Sequence, residues 1–329
     1  MTAERRPLET CLPHFARHGS YPPRWGWLPK VHAAVRQDPH VFSRPDATVL
    51  LAVGSSMVPA MRFWALAFGL IEPEDEGRGS GYMTTARGRW LLDEDGADTW
   101  IEEPGTLWLL HWWLLSARPC RVPTFWHLFA NWGLSRVSRA ELRTSVRRAA
   151  EQTGWKAPSD NTLDRDLTAL LAMYAPPIPT ERAPRVSVEE LLSSPFRELN
   201  ILTFDDVEAV EAVSAYRAAA VRGRQIHLQR IRPDGAPAAI MAYACLDYAR
   251  AQGHTGPGTM SLAALASAPG GPGRLLLANE TLVRRAIERT AGKRGNSLAI
   301  VESADGQALL SFGEDPRALA AGILADHYS

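Results

Sequence analysis

The sequence predicts a mainly α-helical protein with a small amount of β structure, an α+β fold. Winged helix-turn-helix units are expected in the N-terminal half and a small α+β unit at the C-terminal end. Three observations predict this fold. Residues 46–92 contain two helical patterns and then a polar, glycine-rich stretch that suits a β-hairpin. A second pair of helical patterns occupies residues 138–174, and residues 297–312 contain two short apolar runs joined by an Asp-Gly turn.

The first helix-turn-helix pattern is bounded by residues that start and end helices. Asp46 can cap a short helix that Gly54 ends, and Ser55 or Ser56 can cap a second helix over residues 57–68. Apolar residues recur at helical spacing in that second helix, which predicts one buried face.

Arginines mark the polar sides of this unit. Arg62 lies on a different face of the second helix from its apolar residues. The glycine-rich stretch that follows is predicted to form a wing with three arginines: Arg78, Arg87 and Arg89. A small helical bundle with a hairpin is the alternative interpretation of the same pattern.

The second helical pair begins with a capping box between Ser138 and Glu141. The helix that follows carries a basic stripe: Arg139, Arg143 and Arg147. The next helix, predicted over residues 161–174, carries Arg165 beside Asp166, and the two are expected to form an internal ion pair. The stripe is interpreted either as a solvated helix face or as a surface that holds DNA phosphate.

A proline-rich segment over residues 175–184 predicts a linker between domains. All 11 tryptophans lie between Trp25 and Trp155, which indicates a separate unit beyond the linker. The predicted domains are residues 1–116, 117–180 and 181–329. In the last domain the patterns predict helices over residues 188–199, 236–251, 262–268 and 280–290, and strands over residues 297–302 and 307–312.

Composition restricts the class of protein. The 329 residues are 46% hydrophobic and 22% charged with a net charge of zero, so any binding to polyanions must come from local patches. The densest apolar run, residues 106–115, is too short to cross a membrane and contains His111, which we expect to be a core histidine. The N-terminus lacks the apolar stretch of a signal peptide, so a cytoplasmic location without membrane contact is expected. The three cysteines are too far apart to indicate disulfides or a zinc site.

Residues 18–30, HGSYPPRWGWLPK, combine cations, aromatic rings and prolines in an unusual way. Arg24 stands between Pro23 and Trp25, where a planar guanidinium can lie among stacking surfaces. Phosphates and bases suit such a surface. The alternative is an N-terminal arm whose aromatic rings only hold it on the body of the protein.

Three stretches, residues 18–30, 52–64 and 98–111, resemble a bacterial family found in DNA phosphorothioation and phage-defence clusters, the SspB type. The third stretch, DTWIEEPGTLWLLH, resembles a D-x-Y-L-E-x-x-x-T-L-W-L-L-H block of that family. Weaker matches follow in the same order over most of the chain. The chain departs from the family pattern at Gly19, where a glutamate is usual, and at Ser55-Ser56, where lysine and asparagine are usual.

The resemblance implies a protein that binds double-stranded DNA and nicks one strand with Mg2+ or another divalent cation, so that sulfur can replace a phosphate oxygen. It also implies three partners: a cysteine desulfurase, an ATPase and a sulfur transferase. A non-catalytic winged-helix DNA-binding subunit of the same complex is the alternative, and a transcriptional regulator is a further one.

Hydrolysis of a phosphodiester needs an activated water and charge neutralisation, most simply from Mg2+ on carboxylates. Asp98, Glu102 and Glu103 form the best local acidic cluster and are the predicted metal ligands. Asp98 and Glu102 are four residues apart and share a face if the segment is helical. Pro104 favours a helix start there, so acids that complement the helix dipole are the alternative.

The predicted catalytic residues are His18, as a general base or phosphate ligand, with Asp98 and Glu102. The predicted DNA-binding residues share a positive charge and a place in the arm, the first helix-turn-helix or the second helical pair: Arg24, Lys30, Arg62, Arg87, Arg139, Arg143, Arg147 and Arg165.

Overall fold

The structure, a computed structural model, describes residues 7–75, 81–177, 194–205, 225–232, 235–292 and 297–329. These residues form a mainly helical α+β protein with three small antiparallel sheets. Their buried apolar side chains make one continuous cluster from Leu8 to Leu324. The general fold class predicted from the sequence is therefore confirmed.

The N-terminal half begins with an irregular arm, residues 7–26, which runs alongside residue 120. Short helices follow: α1 (Trp27–Gln37), α2 (Ala47–Leu50) and α3 (Val58–Ala67). Strands β1 (Ile71–Pro73) and β2 (Tyr82–Thr84) pair as an antiparallel hairpin with Glu72 opposite Met83. The order helix, turn, helix, hairpin agrees with the prediction, although order alone does not establish a winged helix-turn-helix.

The hairpin ends earlier than predicted, and the prediction of Arg87 and Arg89 on a wing was wrong. Thr85 caps a further helix, α4 (Ala86–Leu92), by accepting a hydrogen bond from the Gly88 N–H, so both arginines lie on that helix. A side chain at Gly88 would place its Cβ 2.2 Å from the Leu70 carbonyl oxygen. Only glycine lets α4 approach that backbone so closely. Arg78 lies outside the described residues.

Helix α5 (Pro104–Ser116) runs through the core and is buried on all sides along residues 105–115. His111 is a core histidine as predicted: its Nδ1 lies 2.8 Å from the Tyr174 hydroxyl and its Nε2 2.8 Å from the Leu275 carbonyl oxygen. Helix α6 (Pro123–Trp126) follows and continues into a π-helical turn, His127–Asn131. Within the described residues no helix has the length and apolar character needed to cross a membrane.

The second helical pair forms as predicted, with α7 (Arg139–Gln152) and α8 (Asp160–Tyr174). The capping box is confirmed, because Ser138 and Glu141 each accept the other's backbone N–H. Just before α7, strand β3 (Arg136–Ser138) joins β4 (Leu202–Asp205) and β5 (Gln225–Leu228) in the sheet order β3-β5-β4. This sheet therefore combines strands from the predicted second and third domains.

The C-terminal part contains the predicted hairpin and two helices that the sequence analysis did not predict. Helices α9 (Ala238–Ala251), α10 (Leu262–Ser267), α11 (Pro272–Leu275) and α12 (Glu280–Ala291) accompany a sheet of order β6-β8-β7, against which α10 and α12 pack. Its strands are β6 (Gly258–Ser261), β7 (Leu298–Glu302) and β8 (Ala308–Phe312). The final helix, α13 (Pro316–His327), packs against α9. Of the predicted 188–199 helix, the described residues show a 3-10 helix, Pro195–Leu199.

Candidate nucleic-acid interface

The arm is fastened to the body of the protein by His18. The Ser20 N–H donates to Nδ1 at 3.2 Å, so Nε2 carries the proton and donates to the Asp166 carboxylate at 2.9 Å. The ring is 2% exposed and stacks on Trp64 with 5.4 Å between ring centroids. Gly19 and Ser20 have φ of 61° and 71°, the left-handed turn that brings the Ser20 N–H back to His18. His18 therefore has protein partners on both ring nitrogens and no exposed face toward a substrate.

Asp166 is the centre of this attachment. Besides His18, it accepts hydrogen bonds from the Ala16 N–H at 2.6 Å and from the Thr124 hydroxyl at 2.6 Å. The expected ion pair between Asp166 and Arg165 is not formed. Residues 165 and 166 point to different sides of α8. Arg165 is exposed, and its Nε lies 3.4 Å from the Ser20 hydroxyl oxygen. Asp166 joins the arm, α6 and α8, and Arg165 is left at the surface.

The arm also contacts α3. Trp64 donates its indole N–H to the Tyr21 carbonyl oxygen at 2.9 Å, and the Tyr21 hydroxyl lies 3.1 Å from the Ser56 hydroxyl. Tyr21 thus helps to hold the arm, and the buried Trp27 does so as well. Trp25 has a different environment, since it is 41% exposed. Tyr21 and Trp27 therefore hold the arm, whereas the exposed Trp25 does not bury its ring as an aromatic clamp would.

The exposed part of the arm forms a surface together with a loop before α5. We define the arm surface as Arg24, Trp25, Lys30, Trp100 and Arg165. Lys30 and Arg165 are exposed, and the guanidinium of Arg24 lies 5.9 Å from the centroid of the Trp27 ring. Trp25 and Trp100 border the same narrow crevice.

Trp100 was not predicted as a functional residue, although it is 69% exposed. Its neighbour Ile101 has a φ of 60°, which is a genuine outlier for a β-branched residue. Such strain persists only where the surrounding structure imposes it. The signal that could have identified Trp100 is its position in a polar, non-periodic segment, where an aromatic residue has no helix face to bury it.

The predicted metal ligands serve as hydrogen-bond acceptors at the start of α5. Asp98 accepts from the Glu102 and Glu103 N–H groups at 2.8 and 3.0 Å and from the Thr106 hydroxyl at 2.6 Å. Glu103 accepts from the Gly105 N–H at 3.3 Å, and Glu102 is exposed. No group of three or more His, Cys, Asp or Glu side chains among the described residues is arranged to hold a metal ion. Three donors already take up most of the acceptor capacity of Asp98, and the three acids of the described segment are not arranged as a preformed Mg2+ site.

The basic stripe on α7 faces the acidic residues of α8 rather than open solvent. Arg139 and Arg143 pair with Asp164 at 3.4 and 3.1 Å, and Arg147 pairs with Asp160. We call these five side chains the α7–α8 ladder. The hydrogen bond from Arg147 holds the pKa of Asp160 below its usual value, so this carboxylate stays charged. Three cations against two anions leave the ladder only weakly positive.

The other two predicted DNA-binding arginines also have aromatic neighbours. Arg62 on α3 is half-buried, with its guanidinium 5.9 Å from the centroid of the Tyr82 ring. Arg87 on α4 lies 4.5 Å from the centroid of the Trp113 ring, at the edge of a cleft between α5 and α9. The structure therefore does not place Arg87 on the arm surface.

Comparison with known proteins extends over nearly the whole chain. The family described as proteins of unknown function, DUF4007, matches residues 15–328. A crystal structure of magnesium ion-bound SspB is 36% identical, with a TM-score of 0.85, and the match covers 99% of this chain and 90% of that one. A second SspB crystal structure has the same identity and TM-score, with 98% and 90% covered. No protein with curated annotation matches the sequence.

Proposed function

The chain belongs to the DUF4007 family, and we propose that it binds double-stranded DNA as a subunit of a DNA phosphorothioation system. Its 36% identity with SspB over nearly the full length supports a common role with that protein. The resemblance to phosphorothioation clusters supplies the system and the partners: a cysteine desulfurase, an ATPase and a sulfur transferase.

The arm surface is the observation that carries the proposal of DNA binding. Lys30 and Arg165 are exposed cations: Lys30 lies on α1 just after the arm, and Arg165 of α8 lies beside Ser20 of the arm. The buried His18–Asp166 pair fastens the arm in place. Contacts between exposed cations and the phosphates of DNA supply most of the non-specific affinity of a protein for DNA. A rigid surface loses little conformational entropy when it binds.

The two exposed tryptophans are suited to bind unstacked bases of the DNA. Trp25 and Trp100 border one crevice, and aromatic side chains stack on bases that have left the duplex. Base stacking of this kind contributes about 1–3 kcal/mol per base. The arm surface is therefore proposed to hold phosphates with its cations and an unstacked base with its rings.

Nicking of one strand is the activity that the resemblance implies, and we propose it as the catalytic role within the system. SspB has been crystallised with a magnesium ion, which supports Mg2+ as the cofactor. Glu102 is the predicted ligand with an exposed carboxylate, whereas Asp98 is engaged in hydrogen bonds to the backbone and Thr106. No step through the metal follows from this arrangement of acids.

A non-catalytic DNA-binding subunit is the second candidate, and one observation favours it. Within the ranges that the structure describes, His18 is buried with both nitrogens occupied, and no group of acids is arranged for a metal. Such a protein would position DNA for the sulfur-transfer partners.

DNA binding is tested by fluorescence anisotropy with a labelled duplex at several salt concentrations. We expect the variants Lys30→Gln and Arg165→Gln each to weaken binding several-fold and to reduce the slope of log K against log salt by about 1, because each loses one phosphate contact. Arg317→Gln, on the exposed side of α13, is the matched control and should bind like the wild type. Equal binding by all variants would remove the arm surface from the DNA contact.

Nicking is tested separately with supercoiled plasmid, purified protein and Mg2+. Open-circular product that disappears with Glu102→Gln, while anisotropy still detects binding, supports the nickase. Plasmid that stays closed under conditions where the duplex is bound supports the non-catalytic subunit instead. Tight binding to one duplex sequence with no effect of Mg2+ supports a transcriptional regulator.

A further inference from the structure

A cleft of about 440 Å3 separates the N-terminal helices from α9. Arg87 on α4 and Trp112 on α5 form one wall, and Asp247, Tyr248 and Arg250 on α9 form the other. The cleft lies between two helices and has the volume usual for a small-ligand site. It shares neither a residue nor an element with the arm surface, apart from the start of the arm at Thr10.

The cleft carries a net positive charge at fixed positions. Arg87, Arg118 and Arg250 line it against the single carboxylate of Asp247. Both oxygens of that carboxylate have donors: Oδ2 accepts from the Trp112 indole N–H at 2.9 Å and Oδ1 from Arg250 at 3.2 Å. Asp247 therefore neutralises one arginine and leaves a surplus of two positive charges.

Arg87 and Arg118 supply that surplus. The guanidinium of Arg87 stacks on Trp113, and it forms no ion pair with any residue in the described ranges. Arg118 donates to the Ala251 carbonyl oxygen at 3.1 Å, which uses one of its five N–H groups. Stacking fixes the plane of Arg87 and leaves the N–H groups at its edge for a ligand.

Three aromatic residues contribute to the rest of the cleft lining, beside small and aliphatic residues such as Leu115 and Ala117. Trp112, Trp126 and Tyr248 are buried and contribute to its lining. Gly270, with a φ of 75°, lies against Trp126, where a Cβ would meet the indole ring at 3.4 Å. The cleft thus combines two available guanidinium groups with a flat apolar surface.

We propose that this cleft binds a phosphate monoester of a small organic molecule. A monoester carries close to two negative charges at neutral pH, equal to the surplus of the cleft. Arg87 and Arg118 hold the phosphate through paired N–H donors, as guanidinium groups do elsewhere. The organic part lies against the aromatic lining. This site is independent of the proposed DNA binding and does not require it.

Isothermal titration calorimetry tests the proposal with three probes: AMP, ribose 5-phosphate and inorganic phosphate. We expect saturable binding of a monoester, tighter than binding of inorganic phosphate because of the aromatic lining. The variants Arg118→Gln and Arg87→Gln should each weaken it about tenfold or more, since each removes a charged hydrogen bond. Arg317→Gln serves as the control and should leave the affinity unchanged.

Three results of these titrations would overturn the proposal. They are no saturation by either monoester at millimolar concentration, equal affinity for monoester and inorganic phosphate, and equal affinity in wild type and Arg118→Gln. Arg118 is exposed, so its variant should fold, and circular dichroism checks this. Duplex DNA that displaces the monoester with the same dependence on Arg118 would assign the cleft to the DNA backbone and also overturn it.

Discussion

The arm surface and the α7–α8 ladder are both rich in arginine, but their charges have different surroundings. In the ladder, Asp160 and Asp164 of α8 pair with the three arginines of α7. Beside the arm, Asp166 of α8 is buried and binds His18. The acids of the ladder pair with its own arginines, whereas Asp166 anchors the arm, and Lys30 and Arg165 stay exposed.

A row of cations in a sequence therefore does not indicate whether their charge is available to a ligand. From the sequence alone, the stripe on α7 resembles a phosphate-binding face. In the structure, acidic residues of α8 lie opposite it. Exposed ion pairs of this kind contribute little to stability, but they do reduce the positive potential that DNA would meet.

The largest expected effect concerns the anchor. Replacing Asp166 with alanine removes the acceptor for the Ala16 N–H, the His18 Nε2–H and the Thr124 hydroxyl, all of them buried or half-buried. We expect the free energy of unfolding to fall by about 3–5 kcal/mol. Urea denaturation measures this change.

The matched variant in the ladder is Asp164→Ala, which lies on the same helix. Because this cluster is only partly buried and remains solvated, we expect a loss below about 1 kcal/mol. Equal losses in the two variants would contradict the distinction between anchor and ladder. Asp166→Asn keeps the shape of the side chain, so its loss in the free energy of unfolding should lie between those of the two alanine variants.

A smaller effect depends on pH and compares the core histidine of α5 with the ladder. Burial lowers the pKa of His111 to about 4, and the unfolded chain takes up a proton near pH 6.5. The unfolded state therefore binds more protons between these values, and stability falls as the pH drops through this window. From pH 6.5 to 5 the loss for this one residue is about 2 kcal/mol.

Thermal unfolding across that pH range measures the loss. Burial likewise lowers the pKa of His127 to about 4, so it adds to the slope in the same window. The hydrogen bond from Arg147 lowers the pKa of Asp160, so the stabilisation from this pair is present at neutral pH and is lost only at a pH below the usual pKa of an aspartate. A His111→Gln variant with an unchanged slope between pH 6.5 and 5 would show that His111 is not the cause.

The smallest effect tests the ladder as a DNA contact. We expect Arg143→Gln to change the affinity for duplex DNA less than twofold, roughly 0.4 kcal/mol, because its charge is already paired with Asp164. The double variant Asp160→Asn and Asp164→Asn should tighten binding several-fold by releasing the arginines. Anisotropy compares both with Lys30→Gln. A larger loss with Arg143→Gln than with Lys30→Gln would reverse the assignment of the two surfaces.

Local patterns predicted much of the fold. The capping box at Ser138 and Glu141 depends only on residues three apart, and it forms as expected. Helix α5, which begins at Pro104, and the hairpin of β7 and β8 also form as their local patterns predict. The final helix, Pro316–His327, was missed, although Asp315 caps it and Pro316 opens it.

The candidate site depended far more on distant contacts. His18 and Asp166 are 148 residues apart, and no local pattern indicates that they meet. Arg87 was assigned to a wing, but Thr85 begins a helix there that carries it to the cleft beside α9. Asp247 and Arg250, which complete that cleft, come from a segment with no predicted functional residue.

The family, most of the capped helices and the general α+β class could be inferred from residue order and neighbouring side chains. Which charges are paired, which histidines are buried and which tryptophans reach the surface became evident in the folded protein, because pairing and burial depend on what another segment places opposite each side chain. Trp25 and Trp27 are two residues apart, yet the first is exposed and the second is in the core.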